Sequence, residues 1–463
     1  MNPQSTFTRR DFLQRTSVGF GWLAFSALAS QQARAEESAI RNPQSAIGYA
    51  NPLAPKPPHF PAKAKRVIFL YMQGGPSHLE TFDWKPELAK VEPSTHKSAL
   101  LAPVIEFKPR GKSGIMISEA FPELSKHADD LCLINGAWTN NPGHAQATVA
   151  LHTGNERFVR PSMGAWTVYG LGTEAQDLPG FVTLNPIHDN GGAMNYGSAF
   201  LPATYQGTPL GTGQKGVPNI ENEHLREGDQ RRQLDLVQSM NKHLQGHDAE
   251  NPEIAGVISS YELAYQMQMS VPGVLDLSKE PDHVRELYGA DDSGTSNFGT
   301  QCLLARRLAE KGVRFIQLTS MGWDHHNHLR EGLMERAGGI DKPIAGLIAD
   351  LKQRDMLKDT LIVWGGEFGR GAHDDKGDGN GRGHQAKGFS MWMAGGGVKG
   401  GMRYGATNEL GQEAVSGKMG THDVHATMLH LLGLDHERLT YKYAGRDFRL
   451  TDVAGEVAKE IVA

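Results

Sequence analysis

Histidine and aspartate side chains crowd into one short segment, Asp324-His325-His326-Asn327-His328, of a chain that contains 20 histidines. One carboxylate with several imidazoles is a ligand set that suits Zn²⁺, Mn²⁺, Fe or Co better than Ca²⁺. We therefore predict a divalent metal site, for Zn²⁺ or Mn²⁺ rather than Ca²⁺, with Asp324, His326 and His328 among its ligands. A solvated polar loop is the alternative that this segment alone leaves open.

Further polar residues lie in other predicted loops. Glu367, His384 and His78 are candidate ligands of the same metal, although Glu367 could instead cap a helix. Arg370 and Arg382 could hold a phosphate or sulfate oxyanion through paired hydrogen bonds, or form ion pairs with carboxylates at the surface. A metal held by such residues would polarise an ester oxygen and lower the pKa of a bound water to about 7.

Two more polar segments occur close to these candidates. The segment from His373 to Asn380 lacks the distal bidentate glutamate of a calcium-binding EF-hand loop, so we interpret it as a mobile polar loop over the mouth of the site. The segment from Thr421 to His425 could add ligands. We favour the interpretation that Asp423 anchors the helix that follows it.

Strands and helices alternate along the part of the chain that carries these residues. This alternation predicts an α/β fold in which a mostly parallel central sheet has helices on both faces. Ligands bind beyond the carboxyl ends of the strands in such sheets, and the polar segments fall there. The predicted strands are 66–72, 131–134, 313–318, 360–364 and 389–393, and the predicted helices are 301–311, 340–353 and 422–432.

The composition is that of a globular protein. Hydrophobic residues make up 39% and charged residues 21%, and the formal net charge of −5 offers no basic face for a nucleic acid. We assign residues 66–455 to the α/β domain and residues 201–292 within it to a helical insertion or cap. The two cysteines, Cys132 and Cys302, could form a disulfide or remain as buried thiols.

The N-terminal residues predict export. Thr8-Arg9-Arg10-Asp11-Phe12-Leu13 is typical of a twin-arginine motif, an apolar stretch follows over residues 18–29, and the small residues Ala33 and Ala35 suit cleavage. The apolar stretch is shorter than the roughly 20 residues of a membrane span. We therefore predict a signal peptide at 1–35, an extended leader at 36–65, a periplasmic or otherwise exported protein, and no transmembrane segment in the mature chain.

Seven segments, taken in order, resemble one family. They resemble the twin-arginine-exported, sulfatase-like proteins known as domain of unknown function 1501, which belong to the alkaline phosphatase-like superfamily. The resemblance extends from about residue 66 to residue 450. It implies a metal-dependent hydrolase of phosphate or sulfate esters, acting on small molecules or polysaccharides. The segments are YMQGGPSHLETFD, HAQATVALHTG, GWDHHNH, DTLIVWGGEFGR, GRGHQ, MAGGGVKGG and THDVHATMLHLLGL.

The chain departs from the superfamily pattern at two positions. The acidic ligand expected after the first strand falls on Gln73 or Gly74, for which His78 or Asp83 could substitute. The nucleophile of sulfatases falls on His144, and a histidine cannot become formylglycine. His144 is therefore either a metal ligand or a nucleophile of the phosphohistidine type.

The later ligand positions match the pattern better. Gly366-Glu367 keeps the carboxylate of an expected aspartate–histidine pair and loses the imidazole, whereas Asp324 and His384 have the expected ligand types. The departures at Gln73 and His144 leave a non-catalytic glycan-binding or cell-surface protein on the same fold as the alternative function. A phosphomutase is a third possibility that the resemblance implies.

Overall fold

The computed structural model of the protein describes residues 51–92, 99–175, 177–211, 227–245, 252–377 and 379–463. Those from Pro52 to Ala463 belong to one compact unit. The predicted signal peptide at 1–35 and the first part of the leader lie outside the described residues, so export stays a prediction. None of the helices in the described ranges is long and apolar enough to cross a membrane.

The central sheet is built from strands that are buried along most of their length, as the apolar run at 66–72 predicts. Short two-stranded hairpins lie outside this sheet. In chain order the strands are β1 Arg66–Gln73, β2 Phe107–Arg110, β3 Ile115–Ser118, β4 Leu131–Trp138, β5 Phe181–Leu184, β6 Thr208–Leu210, β7 Phe315–Met321, β8 Thr360–Gly365, β9 Gly369–Asp374, β10 Arg382–Gln385, β11 Phe389–Ala394, β12 Met402–Tyr404, β13 Ala406–Thr407, β14 Ala414–Ser416, β15 Met419–Gly420, β16 Tyr441–Tyr443 and β17 Arg446–Phe448.

Helices cover both faces of this sheet. One buried core joins Leu70 of β1 to the helices of the 296–353 region, and a second core joins Phe69, the preceding residue of the same strand, to helices at 144–171 and 421–431. Successive residues of a strand point to opposite faces, so the two cores lie on the two sides of the sheet. The helices are α1 His144–Thr153, α2 Met163–Leu171, α3 Glu227–Gln245, α4 Pro252–Leu275, α5 Asp282–Leu287, α6 Ser296–Glu310, α7 Leu329–Gln353 and α8 Thr421–Leu431.

The strand order is β12-β4-β11-β8-β1-β7-β5-β6, with β15 also paired to β4. β1 is parallel to β7 and β8, and β5 is parallel to β6 and β7, which confirms the prediction of a mostly parallel sheet. β11 is the exception, because it runs antiparallel to both β4 and β8. The chain between β8 and β11 forms only the β9–β10 hairpin, without the crossover that a parallel return requires.

Three features refine the expectations from sequence. Cys132 and Cys302 are both free and buried, one in each core, so they do not pair across the sheet. The range 201–292 contains helices α3, α4 and α5, but it also contains β6, which belongs to the central sheet. Residues 51–65 of the leader contain no helix or strand, yet Lys56 and Lys63 donate backbone hydrogen bonds of 2.8 Å to the ends of α2 and α8.

Candidate metal centre

The predicted site residues follow neighbouring strands of the sheet. β7, β1 and β8 lie side by side and end close to one another at the carboxyl edge. Asp324 comes three residues after β7, and Glu367 comes two residues after β8. β4 leads into α1, whose first residue is His144. The β9–β10 hairpin pairs His384 directly with Arg370. The fold therefore brings together five residues that are far apart in the sequence.

The carboxylate of Asp324 lies at the centre of three imidazoles. Its Oδ1 is 2.9 Å from Nε2 of His326 and 3.2 Å from Nε2 of His384. Its Oδ2 is 3.2 Å from Nε2 of His144. The Nε2 atoms of His326 and His384 are themselves only 2.9 Å apart. Three ring nitrogens and a carboxylate thus converge on one small volume.

Each of these histidines turns its other ring nitrogen, Nδ1, to an oxygen outside the cluster. These oxygens accept hydrogen bonds, so each neutral ring carries its proton on Nδ1 and a bare lone pair on Nε2. Metal-ligating histidines are held in this way, because the outer acceptor fixes both the ring and its tautomer. The Nδ1 partners are Glu367 Oε1 for His144 at 2.6 Å, Asp375 Oδ2 for His326 at 2.8 Å and the Pro142 carbonyl for His384 at 2.7 Å.

When the three rings are neutral, their Nε2 lone pairs have no proton to share. His144 Nε2 is buried and makes no hydrogen bond of good geometry with any described residue. With both Nδ1 atoms protonated, the Nε2 atoms of His326 and His384 would face each other as two acceptors. A cation between them removes this conflict. Donor atoms of His144, Asp324 and His384 all lie within 4.8 Å of one another, so the residues fit a divalent metal.

Glu367 supplies a negative charge beside Gly74. Its buried carboxylate accepts hydrogen bonds from the Gly74 amide and the Tyr71 hydroxyl, both at 3.0 Å. Gly74 has a φ of +120°, and a Cβ there would lie 2.7 Å from the backbone nitrogen of Asp324. Only glycine suits this position, so the charge comes from the loop after β8 instead.

Arg370 fixes the central carboxylate. Its guanidinium is fully buried and donates to Asp324 Oδ1, to the carbonyls of Gly74 and Gly75, and to the carbonyl of Arg382. Most of its N–H groups are therefore used within the protein. Arg370 orients Asp324 more directly than it could hold a substrate oxyanion.

Charges within the cluster determine its protonation. Burial alone would raise the pKa of the Asp324 carboxyl, but the close contacts with His144 and His384, with the charge of Arg370, hold that pKa well below its usual range. Burial would lower the pKa of His144, yet its contacts with Asp324 and Glu367 outweigh burial and raise the pKa to about 9. The cluster without metal therefore favours an ionised Asp324 and a protonated His144.

Arg382 lies away from the cluster, although its sequence position suggested an oxyanion role. Its side chain is 0% exposed and pairs with Glu80, which is also 0% exposed, at 2.7 Å. The remaining N–H groups donate to carbonyls of the buried interior, among them those of Leu101 and Ala372. No N–H group is left for a substrate among the described contacts, because the buried Glu80 carboxylate attracts the guanidinium inward.

Two other predicted ligands also stay outside the cluster. His78 is buried, its Nε2 lies 2.7 Å from the Gly411 carbonyl, and burial lowers its pKa. His328 is exposed with a φ of +47° immediately before α7. Neither side chain contacts the cluster in the described part of the chain. A loop with three histidines therefore contributes one, His326, together with Asp324.

Three contributors were not predicted as site residues. Asp375 lies in the polar segment that we interpreted as a loop over the site mouth, and its carboxylate holds His326. The signal that could have found it is a carboxylate between two hairpin strands that carry Arg370 and His384. Tyr71 and the Pro142 carbonyl have no comparable sequence signal, since one belongs to an apolar strand and the other acts through its backbone.

Comparison with known proteins identifies the family. The model of the family described as "Protein of unknown function (DUF1501)" matches residues 64–462, most of the chain. The chain belongs to the DUF1501 family. This confirms the family recognised from the seven sequence segments. No protein with a curated description matches the DUF1501 chain in sequence.

Solved structures similar to this DUF1501 chain include three enzymes. The lipoteichoic acid synthase LtaP from Listeria monocytogenes has 11% identity and a TM-score of 0.37, over 86% of this chain and 78% of that one. The phosphonate monoester hydrolase SpPMH from Silicibacter pomeroyi has 14% identity and a TM-score of 0.36, over 80% and 73%. Alkaline phosphatase from the Antarctic bacterium TAB5 has 12% identity and a TM-score of 0.34, over 80% and 98%. Similarity at this level does not establish an activity for this chain. The fold class follows from the observed sheet and its helices.

Proposed function

We propose that this protein is an exported, metal-dependent hydrolase of phosphate or sulfate esters. The observation that carries the proposal is the convergence of three imidazole Nε2 atoms on the Asp324 carboxylate, each ring anchored through Nδ1. A nitrogen-rich set with one carboxylate suits Zn²⁺ or Mn²⁺. The twin-arginine motif at the N-terminus supports delivery to the periplasm in a folded state.

His144, Asp324, His326 and His384 would hold the metal. When bound, the metal supplies a Lewis acid that polarises an ester oxygen and activates water near neutral pH. Glu367 keeps the proton of His144 on Nδ1, which directs the Nε2 lone pair into the site. The anchored Nδ1 and the 3.2 Å approach to Asp324 favour the ligand role of His144 over the nucleophile role.

The start of α1 offers positive potential to an anionic ester. α1 begins at His144, and no side chain caps its first turn. Free N–H groups and the helix dipole both favour an anion at such a helix start. This first turn is adjacent to the cluster, whereas the guanidinium of Arg382 is committed to Glu80. We assign oxyanion stabilisation to the start of α1 in place of Arg382.

The metal content of protein purified through its own export pathway tests the proposal. We expect about one equivalent of a transition metal, retained in His328→Ala and lost in Asp324→Ala and His384→Ala. His328→Ala is the matched control, because His328 belongs to the same polar segment without contacting the cluster. Metal-loaded protein should hydrolyse aryl phosphates or aryl sulfates. Wild-type protein without metal, or metal-loaded protein without hydrolysis on either substrate, contradicts the proposal.

A non-catalytic binding protein is the second candidate. The observation that favours it is the histidine at the expected nucleophile position, whose ring is anchored to Glu367 at 2.6 Å. No serine, threonine or cysteine side chain touches the cluster residues Asp324, His326 and His384 among the described contacts. Bound metal and saccharide binding without turnover of any phosphate or sulfate ester would favour this candidate.

A further inference from the structure

A cavity of about 400 Å³ is lined in part by residues 138–140, which precede His144 of the candidate metal centre in the chain. It opens between the carboxyl end of β4, the last turns of α1 and the start of α8. Its walls include Trp138, Asn140, Asn155, Thr421 and His422. Small-molecule sites have volumes of about 300–1,000 Å³, so this cavity is large enough to bind a ligand. None of the residues that would hold the metal lines it.

One short segment forms a wall of both the cavity and the metal centre. Trp138 and Asn140 line the cavity, and His144 belongs to the cluster. Between them, the Pro142 carbonyl accepts a hydrogen bond from Nδ1 of His384. Only three residues lie between Asn140 and His144, and an extended chain over these four steps spans at most about 14 Å. The Asn140 side of the cavity therefore lies within about 14 Å of His144, a distance that a short saccharide chain can span.

Trp138 gives the cavity an aromatic wall with a polar end. Gly420 lies against it, and a Cβ at Gly420 would come within 3.0 Å of atoms of the indole ring. The indole N–H of Trp138 makes no hydrogen bond with a described residue and is not among the buried unpaired groups. An indole in this state offers both an apolar surface and a free donor.

Two uncharged polar side chains and one histidine of the cavity wall have hydrogen-bonding groups to spare. Neither the Asn140 amide nor the Thr421 hydroxyl makes a hydrogen bond within the described part of the chain. His422 donates from Nε2 to the Gly154 carbonyl at 2.7 Å, which leaves its Nδ1 as an acceptor. Donors and acceptors thus surround an aromatic ring, a combination that suits a ring carrying several hydroxyl groups.

The acidic residues of the cavity are already paired. Both carboxylate oxygens of Asp423 accept backbone N–H groups, from Gly420 at 2.7 Å and from Glu456 at 2.8 Å. Glu156 lies 3.3 Å from the guanidinium of Arg157. These contacts satisfy the hydrogen bonding of the two carboxylates but leave their negative charge in place. The cavity therefore suits a neutral ligand better than an anionic one.

We propose that this cavity binds a neutral sugar ring of a saccharide chain whose phosphate or sulfate ester lies at the metal centre. The position of the ester rests on the proposed hydrolase function, whereas sugar binding does not depend on it. The metal-side residues recognise the charged group, and the cavity recognises hydroxyl groups of a neighbouring unit. The preferred substrate is then an oligosaccharide or polysaccharide ester.

Calorimetric titration with hexasaccharides tests the proposal. The probes are gluco-, galacto-, manno- and xylo-hexasaccharides, with a uronate and a sulfated hexasaccharide for comparison, and each is titrated with and without a metal chelator. We expect at least one neutral probe to bind equally well in both conditions. Trp138→Phe, Asn140→Ala and Thr421→Val should each weaken that binding about 2- to 10-fold, since each removes one hydrogen-bonding group.

Gln353→Ala is the control variant, because it removes an exposed amide at the end of α7, on the opposite face of the sheet. Asn140→Ala and Thr421→Val keep the test decisive if Trp138→Phe does not fold. Binding of the anionic probes alone, no binding of any neutral probe, or equal binding by all cavity variants overturns the proposal. Because the chelated protein cannot perform metal-dependent hydrolysis, saccharide binding and ester hydrolysis can fail independently.

Discussion

Replacing Arg382 by methionine should lower the free energy of unfolding of the whole protein, and not only weaken substrate binding. Both Arg382 and Glu80 have fully buried side chains, and the guanidinium donates two or more hydrogen bonds to that carboxylate. Removal of one partner leaves a buried charge without its counterion, which costs about 3–5 kcal/mol. The Leu101 carbonyl would also lose its donor, at about 1–3 kcal/mol for a buried group left unsatisfied, whereas the Ala372 carbonyl still accepts from the Leu101 amide.

A double variant separates the charge effect from the lost carbonyl contacts. Glu80→Met alone should cost a similar 3–5 kcal/mol, because it leaves the arginine charge buried. In Glu80→Met/Arg382→Met no charge remains, so the free energy of unfolding should fall by less than the sum of the two single changes. We expect a coupling energy of about 2 kcal/mol or more between Glu80 and Arg382.

Urea unfolding of the wild type, both single variants and the double variant measures these free energies. Lys442→Met is a suitable control, because Lys442 is exposed on the hairpin of β16 and β17. Refutation would come from an Arg382→Met protein that keeps its stability within about 0.5 kcal/mol yet loses ester hydrolysis. That result would place the guanidinium at the substrate and not in the interior.

Four further predictions follow from the site and its surroundings. Gly74→Ala should abolish metal binding, because its Cβ would lie 2.7 Å from the backbone nitrogen of Asp324; elemental mass spectrometry measures the loss. Asp375→Asn should weaken metal affinity about 10- to 100-fold in competitive titration, since the ring of His326 loses its carboxylate acceptor. Metal at 100 times its Kd should stabilise the protein by about 2.7 kcal/mol, seen as a higher melting temperature that a chelator reverses. Burial lowers the pKa of His152 from 6.5 to about 4, so as the pH falls the unfolded chain binds a proton at this residue before the folded protein does. The free energy of unfolding should therefore fall by about 3 kcal/mol between pH 6.5 and pH 4 on account of this residue, which urea midpoints measure.

The controls for these predictions use neighbouring positions. Gly445→Ala places a methyl group in open space at a positive φ, so it should strain the backbone without affecting metal content. An Asp375→Asn protein with wild-type metal affinity would show that His326 needs no carboxylate. Full stability of the wild type at pH 4, or an identical pH profile in His152→Gln, would contradict the role assigned to the buried histidine.

Much of the fold follows from local sequence patterns. Continuous apolar runs such as Arg66–Gln73 identify the central strands because a strand covered on both faces has no polar face to show. The direction of Phe389–Ala394 could not be predicted, since it depends on whether the preceding loop crosses the sheet. The edge strand Thr208–Leu210 was assigned to an insertion because three residues carry too little periodicity to identify a strand.

The candidate site was predictable where side chains follow strands. Asp324, Glu367 and His384 come directly after or between buried strands, and the sheet geometry brings them together. Arg382 has the same kind of position, but its direction depends on a carboxylate, Glu80, that lies about 300 residues earlier in the chain. Pairing between distant residues has no local signal. The contact between Asp375 and His326 had only an indirect one, the place of Asp375 between the two strands that carry Arg370 and His384.

The place of β4 in the sheet affects how the protein can fold during synthesis. β4 hydrogen-bonds only to β11, β12 and β15 within the described sheet, and all three come after residue 388. During synthesis, the strand Leu131–Trp138 therefore has no strand to pair with until most of the chain has left the ribosome. α1, which carries His144, follows that strand and is fixed equally late. A nascent chain that stops before residue 389 should expose an aggregation-prone strand and lack the complete metal centre.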